Sequence, residues 1–419
     1  MKYGKGIRFA GVATAAALTL VGAGGVAAAA TMHHARQQHG VQVKKPSAYV
    51  IGGSLILSTD AATVGQQFEY GIKTELALIN KAGGIDGVPV KAAYQDMHLT
   101  AAGGVAAFNE LTSVDHVQAL IQSTSAGTKA SAPLATKDHV VMFNPGGVSP
   151  NLGGLSPYLF DTIPNLTNEI KAIVPYLRAK GYSRIVLYGQ DDDLGTGAAA
   201  YLSKLWRESG GHYLGTYLES ATTVDHSAVI NEIRSKNPQV IFVVANAGQG
   251  GTFVSQARQL GLNQPLVGTD DSFGDVTMYA MAGTAANGMI DTAPDLTLSQ
   301  TNPLAVAYQK EYEKLFPRNL YAPSNEYSVT NADAVTVWAD GIRYLVAHHE
   351  AYTGKNLRAA IVKIASFNTP SGLVKFLGNG EEQSAINLWK YVGPPSKTKG
   401  DHPVLIKTFS LKSILSSKL

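Results

Sequence analysis

Four loops hold the residues whose types and spacing could do chemistry on a small molecule. Ile121-Gln122-Ser123-Thr124-Ser125-Ala126-Gly127-Thr128 sets hydroxyls and free backbone N–H groups at the start of a helical stretch. Unpaired donors and the partial positive charge of a helix N-terminus suit a carboxylate, although serine and threonine there also serve as plain caps. Asn144-Pro145-Gly146-Gly147-Val148-Ser149-Pro150 follows the apolar run 139–143, and Asn246-Ala247-Gly248-Gln249-Gly250-Gly251 follows 240–244. Gly268-Thr269-Asp270-Asp271 carries an acid that could pair with a cationic group or cap a turn. Ser58, at the end of the first strand, joins Ser123, Ser125, Gly146, Val148, Asn246 and Asp270 in the candidate ligand-binding set.

Catalytic and cofactor patterns are weaker. Gly195-Thr196-Gly197-Ala198-Ala199-Ala200 imitates a dinucleotide fingerprint, with Glu219 downstream. The fingerprint needs its first glycine directly after the strand. Here Asp191, Asp192 and Asp193 intervene and would repel a pyrophosphate. That acidic run lacks the glutamate an EF-hand places downstream. His348-His349 closes a helix, where cations complement the dipole. The chain has no cysteine, which excludes disulfides, thiolate metal sites and a cysteine nucleophile. No catalytic residue, metal ligand or cofactor is therefore expected.

Loops of this kind become a ligand cleft when they cap the carboxyl ends of parallel strands. The stretch Ile79–Asp96, INKAGGIDGVPVKAAYQD, is built for that task. Ile72, Leu76 and Ile79 lie on one face of a helix that Gly83 and Gly84 stop, and Val88 to Tyr94 then reads as a strand. This is the return half of a β-α-β unit. Strands are expected at 49–57, 88–95, 117–122 and 139–143, with helices at 63–82, 100–113 and 127–137. After Pro164 the alternation restarts, through strands at 184–188, 212–219, 240–244 and 265–268. A strand at 288–292 is expected to return to the first lobe, followed by helices at 303–316, 329–349 and 355–365. The expected class is α/β: two doubly wound, Rossmann-like lobes joined by a hinge.

IN-x-AGGI-x-G-x-x-V, ending in Asp96 and starting about thirty residues after the first strand begins, resembles the first crossover of the type I periplasmic binding proteins. Within them it is most similar to the Leu/Ile/Val-type (branched-chain amino-acid) receptors of ABC transporters, over roughly residues 48–395. The resemblance implies that Ser125 binds a ligand carboxylate, that Gly146 offers backbone groups, and that Asp270 pairs with a ligand ammonium. Three positions depart from the amino-acid pattern. Val148 stands where threonine is usual, Asn246 and Ala247 where a tyrosine stacks, and Leu194 where another tyrosine is common. The resemblance also implies three lobe crossings, near 162–165, 292–295 and 350–370.

Length and composition agree with two lobes. A chain of 419 residues exceeds one ordinary core, and 45 % hydrophobic with 16 % charged residues is globular. The net charge of +3 comes from Lys2, Lys5 and Arg8. Without a global basic field, nucleic acid is excluded as a partner. Those three cations precede the apolar run Phe9–Ala30, which ends in small residues, and read as a signal peptide. The same run could instead stay as an N-terminal anchor.

The expected organisation is residues 1–30 signal peptide or anchor, 31–47 linker, 48–163 first lobe and 164–292 second lobe. Residues 293–350 return to the first lobe, 351–395 form a closing exchange, and 396–419 a C-terminal tail. The expected function is extracytoplasmic solute binding for an ABC permease. The ligand would be an amino acid or related small polar metabolite, and the receptor monomeric and periplasmic or on the cell surface. A ligand-sensing component working through a membrane partner is the alternative.

Overall fold

The computed structural model describes residues 45–416 apart from 60, 270–275, 297, 319–322, 324 and 393–403. The segment expected to direct export and Asp270 both lie outside them. The first lobe is wound from β1 (Tyr49–Leu55), α1 (Ala62–Lys81), β2 (Val90–Asp96), α2 (Ala101–Ser113), β3 (Ala119–Gln122), α3 (Ser125–Asp138), β4 (Val141–Asn144) and β5 (Leu159–Asp161). Its strands are all parallel, in the order β2-β1-β3-β4-β5. The inner strands β3 and β4 are buried throughout and read as near-continuous apolar runs, whereas the edge strand β2 is mostly only partly buried. Gly83 and Gly84 end α1 with φ of +95° and +75°, a conformation that side chains disfavour.

The second lobe repeats the plan with α4 (Leu166–Ala179), β6 (Arg184–Gln190), α5 (Asp193–Glu208), β7 (His212–Glu219), α6 (Ser227–Ser235), β8 (Val240–Val244), α7 (Ala247–Gln259), β9 (Leu266–Gly268), α8 (Val276–Ala282) and β10 (Ile290–Pro294). The chain continues through α9 (Pro303–Leu315), α10 (Glu326–Ala347) and α11 (Gly354–Ile364). It closes with β11 (Ser366–Asn368), β12 (Leu373–Lys375), β13 (Ile386–Lys390), β14 (Val404–Phe409) and α12 (Leu411–Ser416). The second sheet has the order β14-β13-β10-β9-β8-β6-β7. The two lobes belong to one unit, Val43–Leu419.

Two elements sit differently from the sequence-based expectation. The strand near 288–292 does not rejoin the first lobe. As β10 it pairs parallel with β9 and antiparallel with β13. The short β9 would otherwise leave a buried row of unpaired backbone groups, a cost that alternation in a sequence does not reveal. The expected tail also contains structure: β14 adds to β13 and so extends the second sheet.

Helices α10 and α11 pack on the first lobe, with Trp338, Ile342, Leu357 and Ile361 in its core. At the α1–α10 contact a Cβ on Gly71 would lie 1.9 Å from the Ser328 carbonyl oxygen, so the helices touch backbone to backbone there. Three chain passages join the lobes side by side. The first runs from β5 to α4, the second leaves β10, and the third enters β13 at 382–385, later than 350–370. Asp295 N–H donates to the Ala385 carbonyl (2.9 Å), and Asn165 Nδ2 donates to Glu381 Oε1 (2.7 Å). Asp161 and Glu382 are buried at this junction, and burial pushes each carboxyl up to about 8.

Candidate functional site

The carboxyl ends of both sheets face a cavity of about 170 Å³. Ser123, Ser125, Gly146, Val148, Leu194 and Asn246 all line it. The first-lobe wall is made where β3 runs into α3. Thr124 caps the helix, its Oγ1 accepting from Gly127 N–H at 3.2 Å. Ser125 is 7 % exposed, and its Oγ accepts the backbone N–H of both Val148 and Ser149 at 3.1 Å. Those bonds leave the hydroxyl proton of Ser125 available to another acceptor. Ser123 is 1 % exposed, and its Oγ has no partner among the described residues. A buried hydroxyl without a partner costs about 1–3 kcal/mol, and Ser123 lies on the cavity wall just ahead of a helix N-terminus.

Gly146 is required by space. A Cβ there would stand 2.7 Å from the Ser123 carbonyl oxygen and 3.2 Å from the Phe68 ring. Val148 reaches further than its loop suggests. It is 1 % exposed and packs in the second-lobe cluster with Ile163, Leu166 and Ile170, while its carbonyl accepts Leu166 N–H at 2.8 Å. An apolar side chain is thus required on this wall for packing between the lobes.

The second-lobe wall joins the N-termini of α5 and α7. Asp192 caps α5, its Oδ1 accepting Gly195 N–H at 3.0 Å, and Asn246 caps α7 through Gln249 N–H at 3.1 Å. Asn246 Nδ2 donates to Gln190 Oε1, and Gln190 Nε2 donates to Asp192 Oδ2, both at 2.8 Å. Burial lifts the Asp192 carboxyl above its ordinary value, against the lowering by the Gly195 and Leu194 N–H donors. Both of its oxygens are therefore already engaged by its own lobe.

The rest of the lining is largely apolar. Ile56, Val64, Leu99, Leu166 and Val244 line the cavity, with Phe68 and Tyr327 in edge-to-face contact at 5.2 Å. Several of these carry no sequence signal. Tyr327 sits in the first turn of α10, which starts three residues before the expected helix. Leu99 follows His98, and both hold positive φ (+54° and +50°). Nothing in Met-His-Leu-Thr announces that turn, since non-glycine residues seldom adopt it. Ser58 lies outside the cavity lining, where its Oγ meets His98 Nδ1 at 2.8 Å.

Among the described residues no group of three or more His, Asp or Glu side chains is placed to hold a metal ion, and no helix is long and apolar enough to cross a membrane.

A family model described as periplasmic binding protein matches residues 48–389. The chain is 23 % identical over 323 residues to the leucine-, isoleucine-, valine-, threonine- and alanine-binding protein of Pseudomonas aeruginosa, covering 76 % of this chain and 83 % of that one. Among solved structures, a leucine binding protein from Thermotoga maritima superposes with a TM-score of 0.74 at 19 % identity, over 87 % of this chain and 99 % of that one. An ABC-transporter solute binding protein from R. palustris in complex with benzoate gives 0.73 at 19 % identity, over 87 % and 96 %.

Proposed function

The chain belongs to the periplasmic binding protein family, in its type I, branched-chain amino-acid ABC-transporter branch, and from that premise we propose that it captures a small monocarboxylate with an apolar body. One observation carries this reading: a cavity lined mainly by apolar side chains has a helix N-terminus and the unpartnered Ser123 hydroxyl on one wall. The carboxylate lies against Ser123, Ser125 and the first turn of α3. The body packs among Phe68, Leu99, Leu194 and Tyr327. An apolar cavity of about 150 Å³ holds benzene, so the volume suits one aromatic ring or one branched aliphatic chain.

Among the described residues, the second-lobe wall holds no carboxylate left free for a ligand ammonium. Its described acid, Asp192, is committed to the α5 cap and to Gln190. Aromatic acids of the benzoate type are the preferred ligands in this reading. Branched-chain amino acids are the second reading, supported by the family branch and by the acid at Asp270.

The lobes close about the hinge, and the loaded receptor docks as a monomer on an ABC permease. Residues 1–30 direct export, and the mature chain begins between about residue 28 and 35. N-terminal sequencing from the native host tests that start; an intact Met1 in a membrane fraction contradicts it. A thermal-shift screen of benzoates, hydroxybenzoates, aliphatic acids and amino acids tests the ligand class. A ligand at 100 times its Kd stabilises by about 2.7 kcal/mol. Stabilisation by amino acids and not by aromatic acids would reverse the preference. Permease and ATPase genes beside this one would distinguish transport from sensing.

A further inference from the structure

Lys129 and Asp193 meet across the cleft. Lys129 lies one turn into α3 of the first lobe, and Asp193 opens α5 of the second. The Lys129 ammonium forms an ion pair with Asp193 Oδ1. Asn151 Nδ2 donates to that same oxygen at 3.2 Å, and Ser149 Oγ donates to the Asp193 backbone carbonyl at 3.0 Å. The Asp193 side chain is 10 % exposed and that of Lys129 50 %, so the pair is partly exposed and open to screening by salt. The backbones fit as closely: a Cβ on Gly197 would stand 2.8 Å from Ser149 Oγ.

We propose that Lys129, with Asn151 and Ser149, is a latch on Asp193 that holds the lobes closed, and that these residues set how long the ligand stays without touching it. The two helix starts that form the latch also form the site. Thr124 and Ser125 line the cavity just ahead of Lys129, and Asp192 and Leu194 line it on either side of Asp193. Opening the lobes must therefore separate both walls of the cavity and the latch in one movement. Once the cleft is closed, Lys129 also offsets the mutual repulsion of three consecutive acids, Asp191 to Asp193. The proposal rests on hinge closure from the reading above, but its test needs no ligand.

The chain has no cysteine, so a spin-label pair can be introduced cleanly at Glu110→Cys on α2 and Lys204→Cys on α5, both exposed. In the ligand-free protein, the distance distribution should contain a closed population. Lys129→Met should lower the closed-to-open ratio by about fivefold, the upper range for a partly exposed pair. Lys129→Arg should restore it, and raised salt should reproduce the Met variant's distribution in the parent. An unchanged distribution in Lys129→Met, or a parent that is wholly open without ligand, would overturn the latch. If the ligand screen fails while the distances shift as described, the ligand reading falls and the latch stands. With a bound ligand in hand, benzoate being the first probe, Lys129→Met should speed dissociation about fivefold and leave the association rate nearly unchanged.

Discussion

Ser125 holds Val148 across the mouth of the cavity: its Oγ accepts the Val148 backbone N–H at 3.1 Å, while the Val148 side chain is buried in the core of the other lobe. One hydroxyl therefore ties the helix start to a loop that the second lobe already grips. Ser123 lacks any such duty, since its buried Oγ has no partner among the described residues.

That contrast separates two serines that look alike in the sequence. Ser125→Ala should lower both stability, by about 1–2 kcal/mol for two lost backbone bonds, and affinity, by about tenfold. Ser123→Ala should lower affinity while leaving stability equal or slightly higher, because it removes an unsatisfied group. Thermal unfolding without ligand, followed by calorimetric titration, distinguishes them. Equal stability losses in the two variants would count against the assignment.

Val148→Thr restores the residue usual in amino-acid receptors, and the packing around it sets the expected outcome. The new hydroxyl would enter the cluster of Ile163, Leu166 and Ile170. Burying it without a partner should cost about 1–3 kcal/mol. Amino-acid affinity should not rise. A stable variant that binds leucine more tightly would mean that the side chain turns into the cavity instead.

Most of the first lobe is legible in the amino-acid sequence. Ile72, Leu76 and Ile79 with Gly83 and Gly84 mark a helix, its stop and the strand that follows, because period and punctuation act locally. Ser123, Ser125, Gly146, Val148, Leu194 and Asn246 stand out as loop residues after strands, and all line one cavity. What stays hidden depends on distant partners. β5 spans three residues and exists because β4 needs a neighbour. The sheet that receives β10 is decided by the open edge of β9. Tyr327 reaches the cavity from a helix far from α3 in the chain, through a contact with Phe68 that no local pattern encodes. Val148 reads in the sequence as a lost hydroxyl; its packing role depends on the second lobe.

Stability should fall as pH rises from about 4 to about 8. Asp161, at the hinge, has its carboxyl pushed up to about 8 by burial, against the Asn144 hydrogen bond and with added repulsion from Glu381. A folded-state pKa above the unfolded value means that the folded chain holds the proton longer. This contribution is complete below about pH 4 and is lost progressively as pH climbs through 8. Glu382, at about 8, and Asp333, at about 7, act in the same direction. Asp161→Asn mimics the protonated acid and keeps an acceptor for Asn144 Nδ2. It should therefore raise the midpoint of thermal unfolding at pH 8 and leave it nearly unchanged at pH 4. A rise of equal size at both values would contradict the assignment.

A carboxylate held at the start of α3, with an apolar body filling the cavity, is the core of the proposed function. Calorimetric titration of benzoate beside benzamide tests it most directly, because the two share ring and volume and differ in the charged end. Benzoate should bind at least about a hundredfold more tightly, consistent with the roughly 1.5–3 kcal/mol of a charge-assisted hydrogen bond made more than once. Ser123→Ala should erase most of that preference. Equal binding of acid and amide, or a preference that survives in Ser123→Ala and Ser125→Ala alike, would contradict it.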